Sequence, residues 1–162
     1  MKLYHGSNTD INVINLALGL RHKDFGKGFY ATPDRMTAIR MAQKKARLFG
    51  GQPTLITYEF DESALHSNLK IKIFPEKACV EWLLFVDANR DRKNLTTLHD
   101  YDIVIGPVAN DQTILTINLY LEGLLGKEAA IAELLPQRLS DQYTFRTDRA
   151  IALLQFQEAL HE

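Results

Sequence analysis

The amino-acid sequence predicts an α+β fold, in which antiparallel or mixed strands are flanked by helices. Strand-type and helix-type segments follow one another without the regular alternation of a doubly wound parallel sheet. The 162 residues are 46% hydrophobic and 24% charged, which is ordinary globular usage. Since no repeat or low-complexity linker divides the chain, we expect one domain over residues 1–162, which buries roughly two thirds of its unfolded surface.

Two short strands are predicted in the first third of the chain. Residues 3–5 are of strand type and are followed by a turn-rich cluster at residues 6–10. Residues 29–31 form the second strand, after a polar loop at residues 19–28 that contains three glycines. A loop of this kind suits a backbone segment that approaches another molecule closely.

The clearest helix begins after the second strand. Thr32 is its predicted N-cap, Pro33 is tolerated at the first helical position, and Gly50 follows its end. The predicted buried stripe has helical spacing and consists of Ile39, Ala42, Ala46 and Phe49. Basic residues are concentrated in the later turns of this helix. We expect them to form a solvated face, which consists of Arg40, Lys44, Lys45 and Arg47.

The remaining elements follow from the same local patterns. Strands are predicted from β-branched and aromatic content at residues 54–60, 69–74, 101–108 and 142–147. Helices are predicted from apolar spacing at residues 76–89, 111–125, 127–135 and 148–160. We expect the last of these helices to offer Ala150, Leu153, Leu154 and Phe156 to the core.

Charge and cysteine content exclude several classes of protein. The chain has 19 basic and 20 acidic residues, which disfavours a uniformly basic nucleic-acid clamp. The charges are unevenly distributed, however: residues 1–50 carry 9 basic and 3 acidic residues. Residues 51–162 therefore have a net negative charge. Cys79 is the single cysteine, which forbids an internal disulfide and favours a reducing compartment. With no apolar run of membrane length, we expect a soluble cytoplasmic protein without a membrane partner.

Two motif matches are rejected on their context. The segment GKGFYA at residues 26–31 fits the pattern G-x-G-x-x-A, but it does not open a helix and no carboxylate follows at the required distance. His99 stands beside Asp100 and Asp102, but no second histidine lies at ligand spacing. We therefore expect neither a Rossmann dinucleotide site nor a metal.

Three segments together carry a family resemblance. In order along the chain they are YHGS at residues 4–7, FGKGFY at residues 25–30 and DQYTF at residues 141–145. They resemble the motifs of the diphtheria-toxin and poly(ADP-ribose) polymerase branch of ADP-ribosyltransferases. In that branch a His-Tyr-Glu triad lies on three strands of a split, mixed β-core. Further segments at residues 81–86, 89–90 and 101–111 resemble a bacterial family of small ADP-ribosyltransferase-like proteins.

The resemblance implies NAD as co-substrate and assigns roles to individual residues. His5, Tyr30 and Gln142 are the implied catalytic residues: His5 bonds a ribose hydroxyl and Tyr30 stacks on the nicotinamide ring. Gly6 binds the nicotinamide amide through its backbone, and Ser7 faces the adenosine ribose. The implied NAD-binding residues are His5, Gly6, Ser7, Lys27, Gly28, Phe29 and Tyr30.

Two positions depart from the family pattern. Gln142 replaces the glutamate: its amide oxygen still accepts a hydrogen bond, but it carries no charge and is no base. Asp141 is adjacent, but on a strand it points to the other face. Met41 stands where the polymerases have a second stacking tyrosine. We expect mono-ADP-ribosyl transfer rather than chain elongation.

The leading hypothesis is a mono-ADP-ribosyltransferase that modifies a macromolecule, acts as the toxin of a toxin–antitoxin pair and has NAD glycohydrolase side activity. The acidic remainder of the chain favours a protein acceptor over nucleic acid. One alternative is a catalytically weak or inactive relative that binds NAD, and another is a protein-interaction module using the same cleft. Asn89, Arg90, Asn110 and Asp111 either line an acceptor face or serve as caps and turns.

Overall fold

The computed structural model describes residues 1–108, 111–136 and 140–162, with the side chains of residues 111 and 112 excepted. The α+β prediction is confirmed, since strands and helices mix along the described chain. The strands are β1 (Lys2–Ser7), β2 (Phe29–Ala31), β3 (Thr54–Phe60), β4 (Ile71–Ile73), β5 (Ile103–Pro107), β6 (Asp141–Phe145) and β7 (Leu154–His161). The helices are α1 (Arg35–Phe49), α2 (Val80–Arg90), α3 (Asp111–Leu121), α4 (Lys127–Leu134) and α5 (Asp148–Ile151).

The strands form two sheets that part from one another along β1 and β2. The first sheet has the order β1-β3-β7 and is antiparallel. The second has the order β2-β6-β5-β4, in which only the β4–β5 pair is parallel. Tyr4 and Thr32 exchange backbone hydrogen bonds of 2.8 and 2.9 Å and so join β1 to β2. We call the region beyond this bridge, where β1 and β2 diverge, the split.

Apolar residues from both sheets pack against each other and form the main core. Leu3, Ile56 and Tyr58 of the first sheet belong to the same buried cluster as Phe29 and Phe145 of the second. Helix α1 covers the other face of the first sheet with Ala38 and Ile39. On the second sheet, α2 contributes Trp82, Leu83 and Val86 to a cluster with Val104. The split therefore lies at the edge of a tightly packed core.

The predicted closing helix is wrong over most of its length. Only Asp148–Ile151 is helical, and Leu154–His161 is an antiparallel strand on β3. The segment contains good helix formers, but its backbone groups find partners on a strand about a hundred positions earlier. Tertiary pairing overrides local propensity here. Within the described ranges, no helix is long and apolar enough to traverse a lipid bilayer.

The start of α1 also differs from the prediction. Its N-cap is Asp34, whose carboxylate accepts hydrogen bonds from the backbone N–H groups of Met36 and Thr37 at 2.9 and 3.3 Å. Thr32 instead bridges strands, since its hydroxyl donates to the Asp141 carbonyl at 2.8 Å. At the other end Phe49 is exposed rather than buried. The buried stripe of α1 consists of Ala38, Ile39 and Ala42.

Candidate functional site

His5 is held at the split by contacts on both of its ring nitrogens. Its Nδ1 lies 2.6 Å from the Tyr30 carbonyl oxygen, and its ring stacks on Phe29 with centroids 4.5 Å apart. Because a carbonyl only accepts, Nδ1 carries the proton and Nε2 keeps its lone pair. Burial, reinforced by the neighbouring Lys45 charge, lowers the His5 pKa to about 3. His5 is therefore neutral at pH 7, with Nε2 as an acceptor.

Lys45 is a site residue that the sequence did not predict. Its Nζ donates to the Gly6 carbonyl at 2.7 Å and lies 3.4 Å from His5 Nε2. Burial, with a smaller contribution from Lys23, lowers the Lys45 pKa to about 8. The expected solvated face is thus wrong for Lys45. A signal existed, since Lys45 follows the buried Ala38 and Ala42 at helical spacing and shares their face.

Gly6 is required by the close approach of α1 to β1. A Cβ at this position would overlap the Ala38 carbonyl oxygen and lie 2.7 Å from the Ala42 nitrogen.

The backbone groups of Gly6 face the split. Backbone groups alternate between the two edges of a strand, and those of Tyr4 point toward β2. The N–H and C=O of Gly6, two residues on, point the same way. They line the split, where Lys45 binds the carbonyl.

Tyr30 connects the split to the loop at residues 19–28. Its hydroxyl donates to the Gly26 carbonyl at 2.6 Å and accepts from the Phe25 N–H at 3.1 Å. Burial, reinforced by the nearby Asp24 charge, raises the Tyr30 pKa, so the hydroxyl stays protonated. The side chain therefore acts as a tether that holds the loop against β2.

Gln142 lies on the same face of the second sheet as Tyr30. Tyr30 pairs with Thr144, and Gln142 is two residues before Thr144 on β6. The buried Gln142 amide donates through Nε2 to Asp24 Oδ2 at 3.0 Å and to the Pro107 carbonyl at 3.4 Å. Both partners are acceptors, so the amide orientation is fixed and Oε1 points away from them. Gln142 therefore keeps an acceptor oxygen on the face of the sheet that carries Tyr30.

Asp24 supplies a carboxylate that sequence reasoning missed. It is 7% exposed, and its Oδ1 accepts from Arg90 Nε at 2.7 Å within an ion pair of 2.6 Å. Asp24, Arg90 and Gln142 come from the polar loop, α2 and β6, so no local pattern could relate them. A negative charge therefore lies one hydrogen bond from the neutral glutamine.

The other predicted site residues lie at varying distances from this centre. Ser7 is buried, and its hydroxyl accepts from the Thr9 N–H at 3.2 Å. Lys27 faces a different cleft, and its carbonyl accepts from Arg146 Nε at 3.1 Å. Gly28 packs against Thr144 on β6. In the described part of the chain, no hydrogen bond or ring contact joins His5 directly to Gln142.

The other polar and stacking residues considered from the sequence lie outside the triad. Asp141 lies on the opposite face from Gln142, as strand alternation requires, and Met41 is exposed on α1. Arg90 is committed to Asp24, and Asn89 donates to the Phe85 carbonyl at 2.8 Å. Asn110 and the side chain of residue 111 lie outside the described residues. Among the described side chains, no group of three or more His, Cys, Asp or Glu is arranged to hold a metal ion.

Comparison with protein families gives one match over nearly the whole chain. The family model described as "Protein of unknown function (DUF3990)" matches residues 1–156, and the chain belongs to this family. Comparison with curated proteins and with solved structures gave no match.

Proposed function

We propose that this member of the DUF3990 family is an NAD-dependent mono-ADP-ribosyltransferase that modifies a macromolecular acceptor. The observation that carries the proposal is the meeting of three distant segments. β1 with His5 is bridged to β2 with Tyr30, and β2 is paired with β6, which carries Gln142. These are the residues, in the strand order, for which the sequence resembles ADP-ribosyltransferases.

The reaction breaks the bond between the nicotinamide nitrogen and ribose C1′, and it forms a bond from C1′ to a nucleophile of the acceptor. The acceptor proton leaves to solvent, and positive charge develops on the ribose in the transition state, as in glycoside hydrolysis. The fixed Oε1 of Gln142 is suited to accept a ribose hydroxyl and so to orient the sugar. Asp24 is one hydrogen bond further away and holds that amide in position.

The backbone edge of Gly6 supports the binding part of the proposal. Its N–H and C=O face the split and form the donor–acceptor pair that a carboxamide recognises. Lys45 now donates to that carbonyl, so a bound carboxamide replaces the ammonium group there. The hydrogen bond from the Tyr30 hydroxyl to the Gly26 carbonyl holds the loop at residues 19–28 beside the proposed position of the nicotinamide ring.

The acceptor, the biological role and the compartment are further parts of the proposal. The acidic composition of residues 51–162 favours a protein acceptor over a nucleic acid. Modification of the cell's own proteins is harmful unless it is restrained, which fits a toxin paired with an antitoxin protein. The single Cys79 suits a reducing, cytoplasmic compartment.

Incubation of the purified protein with labelled NAD and cell lysate tests the proposal. Transfer of label to protein supports it, whereas release of free nicotinamide without transfer indicates an NAD glycohydrolase instead. The variant Gln142→Ala is expected to lower turnover about tenfold or more while NAD affinity changes little, because one transition-state hydrogen bond is lost. Tyr30→Ala is expected to weaken both. Gln157→Ala, on the exposed β7 edge, is the matched control.

A second candidate function is NAD binding with little or no turnover. It is favoured by the uncharged Gln142 and by the amine that occupies the Gly6 carbonyl. An increase of the melting temperature with NAD, without transfer or nicotinamide release, would establish it. If NAD neither binds nor raises the melting temperature, both the transferase and the NAD-binding candidates are wrong. The protein-interaction module is then the remaining hypothesis.

A further inference from the structure

A small basic cleft lies between the loop at residues 19–28 and the segment that follows α2. Its volume is about 80 Å³. A cleft of this volume has room for a group of a few heavy atoms. Arg21, Lys27 and Arg146 line it together with His22, and no lining residue is acidic. We call this feature the basic cleft.

Arg146 brings a charge into the basic cleft, and its own hydrogen bonds go to neutral groups. Its Nε donates to the Lys27 carbonyl at 3.1 Å. One terminal nitrogen, Nη1, donates to His99 Nδ1 at 2.9 Å and to the carbonyls of His99 and Tyr101 at 3.1 Å. All these acceptors are neutral. Burial lowers the pKa of His99 to about 4, so this ring is uncharged at pH 7.

The two carboxylates whose charge acts on Arg146 are those of Asp100 and Asp102, and both form ion pairs with other cations. Asp102 accepts from Arg149 Nε at 2.8 Å, and Asp100 pairs with Lys70. Over residues 1–108, 111–136 and 140–162, no carboxylate forms an ion pair with Arg21, Lys27 or Arg146. Cations that line a concave surface without an ion pair across it attract an anion to that surface.

The backbone keeps the basic cleft open. Gly26 has a φ of 81°, and a Cβ there would lie 2.8 Å from Asn89 Oδ1 and 3.7 Å from Arg146 Nη2. Nη2 has no hydrogen-bond partner among the described residues, so its N–H groups remain for a ligand. On the opposite wall Arg21 donates to the Leu95 carbonyl at 2.7 Å and fixes the segment that carries Thr96 and Thr97.

We propose that the basic cleft binds a phosphate group, free or as a monoester, at a site separate from His5 and Gly6. Guanidinium, lysine and hydroxyl donors together are the set that recognises phosphate oxygens. Tyr30 stands between the two sites, with its carbonyl on His5 and its hydroxyl on Gly26. This proposal does not depend on NAD.

Titration with inorganic phosphate at constant ionic strength, followed by calorimetry and NMR, tests the site. In the wild-type protein we expect saturable shifts of the Gly26 and Lys27 amides and of the Arg146 Nε–H signal. Arg21→Gln and Lys27→Gln are each expected to weaken phosphate binding about tenfold, because each removes a charge-assisted hydrogen bond. Arg47→Gln removes the same charge from an exposed position on α1 and should leave the affinity unchanged.

The outcomes separate the possible sources of the phosphate. Phosphate binding that persists in saturating NAD, or in a protein that binds no NAD, supports a separate site. Competition between NAD and phosphate assigns the basic cleft to the dinucleotide's own phosphates and overturns the proposal. Equal affinities of the wild type, the two basic-cleft variants and Arg47→Gln would show only nonspecific ion binding and would also overturn it.

Discussion

Replacement of Asp24 by asparagine is the perturbation that examines the candidate site most directly. The substitution keeps the size of the side chain and removes the charge that faces Arg90. It also alters the partner that fixes the Gln142 amide. The free energy of unfolding should fall because Arg90 is left without its ion-pair partner. Turnover should fall because the Gln142 amide is no longer fixed by a carboxylate.

The magnitude follows from the burial of the pair. Asp24 and Arg90 retain 9% and 19% of their side-chain exposure. Removing one partner of a buried ion pair costs about 3 to 5 kcal/mol, because the remaining charge is left unpaired. The residual exposure of Arg90 favours the lower end, about 3 kcal/mol. For a domain of this size, about 2 to 4 °C is lost per kcal/mol, so the melting temperature should fall by about 6 to 12 °C.

Urea unfolding and thermal melting measure this loss, and Asp100→Asn provides the matched control. Asp100 pairs with Lys70 on the surface, where the loss of a carboxylate has little effect. The double variant Asp24→Asn/Arg90→Met should be more stable than Asp24→Asn alone, since no buried charge is left unpaired. If Asp24→Asn is no less stable than Asp100→Asn, the pair does not organise the site.

Three further predictions concern the split. Gly6→Ala should prevent folding or lower the melting temperature strongly, because its Cβ would overlap the backbone of α1; a wild-type melting curve would contradict this. His5 has a folded pKa of about 3 against 6.5 when unfolded, so the unfolded state binds the proton first. The free energy of unfolding should therefore decline as the pH falls from about 6.5 to 3, less steeply in His5→Gln, and parallel pH curves would refute it. Lys45→Met should raise the His5 pKa in an NMR titration, since the nearby ammonium lowers it; an unchanged pKa would exclude the contact.

Local signals in the sequence predicted the elements whose ends are marked by special residues. The β2 and β3 bounds agree with the prediction, and α1 ends before Gly50 as expected. β7 was missed because its strand state depends on pairing with β3, which the sequence around residues 154–161 does not encode. Helix propensity is a property of one segment, whereas sheet pairing depends on two segments that lie far apart in the sequence.

The candidate site was predictable only where its residues lie in motifs. His5, Tyr30 and Gln142 came from a resemblance whose order matches adjacent strands. Asp24 and Arg146 carry no periodic signal, because each lies in a polar segment and its partners are more than forty positions away. Such pairs become visible only when the fold has brought the segments together.

The hydrogen bonds of His5 and Gly6 place Lys45 on the groups that the proposed reaction would use. Since Nδ1–H is fixed on the Tyr30 carbonyl, a ribose hydroxyl at His5 must donate to the Nε2 lone pair. Lys45 lies 3.4 Å from that lone pair and also occupies the Gly6 carbonyl. If NAD binds as proposed, its nicotinamide riboside group displaces the ammonium from both acceptors at once. In that case we expect the displaced Lys45 charge to pair with a phosphate of the dinucleotide.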